Sequence, residues 1–196
     1  ELTIENAVAE DKEYDGTTEA VISNAEIKGI ISGDDVELNG LVGNFDDADV
    51  GTGKTVTSNL SLTGNDSHNY KLNQLSNLSA DINKKALAII ADNNTKTYGE
   101  TDPEFTVSYE GFADVENKNN NDFVGTLTFN RGVGENVGSY TITPTGLSSN
   151  NYDISYQPGT LEIIQKVITV TGDEKSKYHG TEDPELTYKI TSGSLE

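Results

Sequence analysis

Polar and apolar residues alternate with a period of two along much of this chain. Thr126-Leu127-Thr128-Phe129, Tyr140-Thr141-Ile142-Thr143, Asp153-Ile154-Ser155-Tyr156 and Leu161-Glu162-Ile163 each place every second side chain on one face, the pattern of a strand buried on one side. Val36-Glu37-Leu38, Lys54-Thr55-Val56-Thr57, Leu60-Ser61-Leu62 and Tyr70-Lys71-Leu72 read the same way. Thr and Tyr add β-propensity. Gly111, Gly132-Val133-Gly134, Gly146, Asn150-Asn151 and Pro158-Gly159 supply turn signals at the spacing of an all-β domain. No stretch sustains a helical stripe, and at most one helical turn fits near residues 32–35 or 113–115. The pattern predicts an all-β chain of small antiparallel β modules, with sandwich and β-grasp-like sheets both satisfying it.

The strands recur in copies. Lys96-Thr97-Tyr98-Gly99-Glu100-Thr101-Asp102-Pro103-Glu104 returns as Lys177-Tyr178-His179-Gly180-Thr181-Glu182-Asp183-Pro184-Glu185, and Pro103 and Pro184 stand 81 residues apart. A more distant copy, Lys12-Glu13-Tyr14-Asp15-Gly16, precedes Lys96 by 84 residues. Both complete copies then carry a Val-Gly pair (Val50-Gly51, Val137-Gly138), an Asn-Tyr pair (Asn69-Tyr70, Asn151-Tyr152) and a closing strand ending in Lys. A period this long suits small domains in series rather than a solenoid. The expected modules are 1–85, 86–166 and the opening third of another, 167–196. Two strands alone are marginal in water, so the last piece is expected to pack on module two, pair with a neighbouring chain or be poorly ordered. With Lys85 closing one strand as Ala86 opens the next, the short junctions predict modules arranged end to end as an elongated rod.

Composition narrows the class. A module of this size buries roughly 60% of its unfolded surface, a thin core. The chain has no Cys, Met or Trp, so disulfide and thiol chemistry are excluded. No apolar run approaches the ~18 residues needed to span a bilayer, and no signal peptide opens the sequence; a soluble piece of a longer protein is expected. The net charge of −20, from 33 acidic and 13 basic residues, repels phosphate backbones and anionic headgroups, which argues against nucleic acid and against direct membrane insertion.

Tyr14-Asp15-Gly16, Val50-Gly51 and Asn69-Tyr70 make the first module resemble the YDG repeat domain of large bacterial adhesins. The second, with Lys96, Tyr98-Gly99, Asp102-Pro103, Gly125, Val137-Gly138, Tyr140, Asn151-Tyr152 and Gly159-Thr160-Leu161, resembles the companion MBG domain. The third copy departs from that pattern, with His179 where Tyr98 stands. The resemblance implies display on the extracellular bacterial cell surface and carries no catalytic residues. The glycines and prolines have a plain reading as turn formers. The recurring tyrosines read first as core or corner packing and second as a platform for sugar.

Candidate chemistry is sparse. Asp66-Ser67-His68 holds the residue types of a hydrolase triad, but sequence neighbours do not converge as nucleophile, base and orienter. The two histidines, His68 and His179, fall in different modules and offer little to zinc. No catalytic residue and no cofactor are expected. Asp34, Asp35, Asp46, Asp47 and Asp49 are the calcium candidates, being hard oxygen donors close in sequence, although the EF-hand spacing is missing and a solvated acidic turn is the simpler reading. Lys12 or Lys96 beside an Asp or Asn is the material for an isopeptide crosslink. Asn117, Asn119, Asn120, Asn121 and Asp122 form a module-specific polar loop able to hydrogen-bond sugar hydroxyls.

Two functions survive. The first is a stalk of an adhesin whose partners are the neighbouring repeat modules. The second is an adhesion module that binds host glycans or matrix proteins. An enzyme is not expected.

Overall fold

The computed structural model describes residues 1–117, 119 and 122–194. The protein is all-β. Among the described residues the one helical element is a single 3₁₀ turn, Ser67–Asn69, in the segment that sequence reads as a loop. At residues 31–34 and 113–116 the chain makes hydrogen-bonded turns instead, Asp34 N to Ile31 O (3.1 Å) and Glu116 N to Ala113 O (2.9 Å). The predicted strands of the second half appear as Val124–Arg131, Gly138–Ser148, Tyr152–Gln157 and Gly159–Ile164. In the first half Glu37–Asn39, Gly51–Ser58 and Ser61–Thr63 form, while Tyr70-Lys71-Leu72 makes only one bridge, Leu72 to Leu2.

Two compact units divide the chain. The larger comprises Glu1–Ile89, Tyr109–Leu127 and Gly146–Ser155, and the smaller comprises Ile90–Ser108, Thr128–Thr145 and Tyr156–Glu196. The larger unit's main sheet has six strands in the order Val8–Ala9, Glu19–Ser23, Val42–Phe45, Gly51–Ser58, Leu78–Asn83, Lys12–Glu13. Its core gathers Ala20, Phe45, Val56, Ala80, Ile82 and Leu87 around Tyr14 and Tyr152. A four-stranded sheet runs Asn94–Thr97, Gly159–Ile164, Gly138–Ser148, Val124–Arg131, and the core of the smaller unit gathers Ala91, Ile142, Leu161 and Ile163.

The six-stranded and four-stranded sheets each combine antiparallel pairs with a parallel one: Ile82 opposite Lys12, and Ile163 opposite Lys96. The next strand over keeps the same register, since Gly51 faces Ile82 and Gly138 faces Ile163. Tyr14 N donates to Asn83 O (2.8 Å) and Tyr98 N to Ile164 O (2.9 Å). The repeat in sequence is therefore a repeat in hydrogen bonding.

Residues 167–194 open a third copy in the same way. Asp173 N donates to Thr187 O and Thr187 Oγ1 to Asp173 Oδ2, as Asp92 and Thr106 do 81 residues earlier, at 2.9 and 2.6 Å in both cases. Lys177 pairs with Asp183 as Lys96 pairs with Asp102. This copy is a two-stranded sheet, Thr169–Gly172 on Tyr188–Ser192, with Val170, Tyr178 and Leu186 exposed.

Candidate functional site: a clasp built from the repeat landmarks

Within the larger unit the landmarks of the two modules meet. Tyr14 and Tyr152, 4% and 1% exposed, pack edge to face with ring centroids 5.4 Å apart, an arrangement that contributes about 0.5–1.5 kcal/mol beyond area burial. Both hydroxyls donate to one carboxylate: Tyr14 to Glu116 Oε1 at 2.7 Å and Tyr152 to Glu116 Oε2 at 2.5 Å. The Tyr152 oxygen also accepts the Ala113 N–H at 3.0 Å. Burial, first, and then the Glu116 carboxylate raise the Tyr14 phenol above its usual range. Burial also pushes Tyr152 up to about 12, with the Ala113 N–H working the other way and Glu116 adding to the rise.

Asn151, 3% exposed, holds the other end of the clasp. Its Oδ1 accepts the Val50 N–H at 2.9 Å and its Nδ2 donates to Asp49 Oδ1 at 3.0 Å. The carboxamide places an acceptor and a donor on separate atoms, one for each partner. Its backbone is held too, since its carbonyl accepts Lys85 N at 3.1 Å. Asp122 accepts from Ser149 Oγ (2.5 Å), Asn150 N (2.9 Å) and Asn151 N (3.1 Å), fixing the corner that aims Asn151. Asp49, Val50, Lys84, Asp122, Asn150 and Asn151 line a cleft of about 490 Å³.

Gly16 is required where it stands. Its φ is +75°, and a Cβ there would collide with the Val115 side chain. The glycine satisfies a left-handed turn and a close approach at once.

The first module carries a second copy of the corner. Tyr70 Oη accepts the Ile31 N–H (3.0 Å) and donates to Asp34 Oδ2 (2.6 Å), matching Tyr152 with Ala113 and Glu116 at an offset of 82 residues. That hydrogen bond to Asp34 is the main cause of a raised Tyr70 pKa.

The remaining sequence candidates are dispersed. Asp34 serves Tyr70, and Asp35 Oδ2 accepts from both nitrogens of Asn65. Asp46 and Asp47 pair with Lys54 at 3.4 and 2.5 Å, which raises the lysine pKa through the Asp47 hydrogen bond first. Asp49 belongs to the clasp. No group of three or more His, Cys, Asp or Glu among the described residues is gathered to hold a metal. Asn117 Oδ1 accepts Asn119 N at 2.9 Å, Asp122 is committed to residues 149–151, and Asn120 and Asn121 lie outside the described residues.

Lys12 Nζ sits 2.8 Å from Asp15 Oδ1. Lys96, 6% exposed, donates to Asp102 and Glu135, both at 2.6 Å, and these bonds raise its pKa, Asp102 foremost. Arg131 braces the same carboxylates (3.1 Å to each) and lies 4.8 Å from the Tyr140 ring centroid. Lys96, Arg131, Asp102 and Glu135 together make an ion-pair network of charge-assisted hydrogen bonds.

Sequence reading passed over Glu116, Ala113 and Lys84. The signal for the first two was present: Ile31, Asp34, Asn69 and Tyr70 match Ala113, Glu116, Asn151 and Tyr152 at one constant offset. Landmarks compared only within a module conceal a contact made between modules.

Family models match residues 1–77 as a YDG domain and residues 87–162 as an MBG domain of the YGX type. The chain is a YDG domain followed by an MBG domain. No curated protein and no solved structure matches it. Both are repeat-type domains found in surface proteins, and the clasp joins the tyrosine of the YDG signature to the Asn-Tyr corner of the MBG domain.

Proposed function

We propose that this chain is a non-catalytic spacer in a bacterial cell-surface adhesin, exposed outside the cell and holding an adhesive region away from it. The observation that supports this reading is the use made of the recurring side chains. Tyr14, Val50, Asn151 and Tyr152 are taken up in joining consecutive modules.

The sheets suit a load-bearing role. In the YDG domain the strand at Lys12–Glu13 pairs in parallel with Leu78–Asn83, and in the MBG domain Asn94–Thr97 pairs in parallel with Gly159–Ile164. An early strand and a late strand lie side by side in the same direction. Tension applied at the two ends of such a module loads these bonds together in shear, whereas a hairpin pulled from one end opens bond by bond. The net charge of −20 disfavours collapse and self-association.

A screen of the chain against immobilised glycans and matrix proteins, with calcium and then with chelator, tests the proposal. It predicts no saturable binding in either condition. Saturable binding that disappears when residues 117–122 are replaced would assign the chain to adhesion itself.

A further inference from the structure

The YDG end of the clasp has a counterpart in the MBG domain. Tyr98 takes the place of Tyr14, Asn136-Val137-Gly138 that of Asp49-Val50-Gly51, and Gln165-Lys166 that of Lys84-Lys85. The backbone correspondence is explicit in the shared register of Gly51 with Ile82 and Gly138 with Ile163, and in the paired bonds Tyr14 N to Asn83 O and Tyr98 N to Ile164 O. What surrounds these residues differs. Tyr14 is buried and Val50 half-buried against the MBG corner, whereas Tyr98 is half-buried and Val137 is 51% exposed.

We propose that the cleft of about 400 Å³ lined by Tyr98, Asn136, Val137, Gln165 and Lys166 is a docking surface for the Asn-Tyr corner of an MBG module following in tandem. In this seat the incoming Asn accepts the Val137 N–H and donates to the Asn136 carboxamide oxygen, as Asn151 does with Val50 and Asp49. The incoming Tyr packs edge to face on Tyr98, and its acidic partner accepts both hydroxyls. Asn136 keeps an acceptor where Asp49 has one, so the pairing is retained without a charge.

The occupant follows from the fold. Residues 167–194 reproduce the opening strands of an MBG module directly after Lys166, as Ala86 follows Lys85, and Gly193 faces the Val167 carbonyl as Gly111 faces that of Ala86. The proposal also gives each module a direction: a corner at one end, built in the YDG domain from Ile31, Asp34 and Tyr70, and a seat at the other. Heterologous contacts of this kind propagate along a chain without closing on themselves. The inference rests on the geometry of the clasp and holds whether or not the chain is a spacer.

The test completes the third module. The chain through Gly193 is continued with a second copy of residues 112–166, and hydrogen exchange at the Val137 amide is compared with the same chain in which the grafted Asn151 and Tyr152 are both alanine. The proposal predicts that protection falls by about tenfold or more in the alanine chain, the loss expected for a buried hydrogen bond. Residues 1–166 followed directly by a second copy of 86–166 repeat the Lys85–Ala86 seam and guard against a graft that fails to fold. Equal Val137 protection with and without the Asn-Tyr pair in both designs would overturn the inference. Protection that instead rises with concentration of the unextended chain would overturn it in favour of a second copy.

Discussion

Tyr14 and Tyr98 open the same strand arrangement and meet different fates. Each donates its backbone N–H to a carbonyl of the closing strand, at 2.8 and 2.9 Å. In the larger unit, however, Tyr14 is sealed beneath Tyr152 and shares Glu116 with it, while in the smaller unit Tyr98 stays half-buried at the rim of the core formed by Ile142, Leu161 and Ile163. The repeat fixes the backbone of each module, and the neighbouring module decides whether its tyrosine becomes core. In this chain the YDG domain shares its compact unit with residues 109–127 and 146–155 of the MBG domain.

Perturbing one side of this comparison should leave the other nearly untouched. Tyr152→Ala removes the ring that covers Tyr14 and Phe112 and is expected to destabilise the larger unit by about 3–5 kcal/mol in urea titration. Asn151→Leu strands the Val50 N–H and Asp49, a loss of about 1–3 kcal/mol. In the smaller unit Asn136, which stands where Asp49 does in the larger one, has no such partner to lose among the described residues, and Asn136→Leu should stay within about 0.5 kcal/mol; a loss equal to that of Asn151→Leu would erase the distinction drawn here. Gly16→Ala forces a Cβ into a left-handed turn against Val115 and is expected to cost about 1–2 kcal/mol.

Alkaline pH separates the two regions without mutation. Tyr14 and Tyr152 both have folded pKa values raised above 10.0, so the folded state binds more protons than the unfolded state once pH passes 10. Their contribution is complete below pH 10 and is lost as pH rises through the folded values, by up to about 1.4 kcal/mol per pH unit for each phenol. Tyrosinate absorbance followed against pH should show these two ionising together with unfolding. Early, non-cooperative ionisation of both would contradict the burial described. An intact mass equal to that of the linear sequence is the expected signature of ion pairs, and not an isopeptide bond, at Lys12 and Lys96.

The all-β class, most strands and the order of the two domains were legible because alternation and repeat landmarks are local signals. The parallel contacts at Lys12 and Lys96 were not, since alternation fixes which face a residue occupies and says nothing about strand direction. Tyr70-Lys71-Leu72 alternates as cleanly as any strand yet makes a single bridge, because its tyrosine is turned toward Asp34 and Ile31. The clasp was half legible. Tyr14 and Tyr152 stood out as recurring packing residues, but pairing them needed the contact between modules, and the acidic candidates Asp34 and Asp49 resolve as hydrogen-bond acceptors for Tyr70 and Asn151.

The most direct measurement is a double-mutant cycle on Tyr14→Ala and Tyr152→Ala, read from urea unfolding of the full chain. The clasp predicts that the two losses fail to add by about 1–3 kcal/mol, the range for residues in direct contact. Losses that add to within about 0.3–0.5 kcal/mol would show that the two tyrosines stabilise their modules independently, and the joint between the YDG and MBG domains would fall with them.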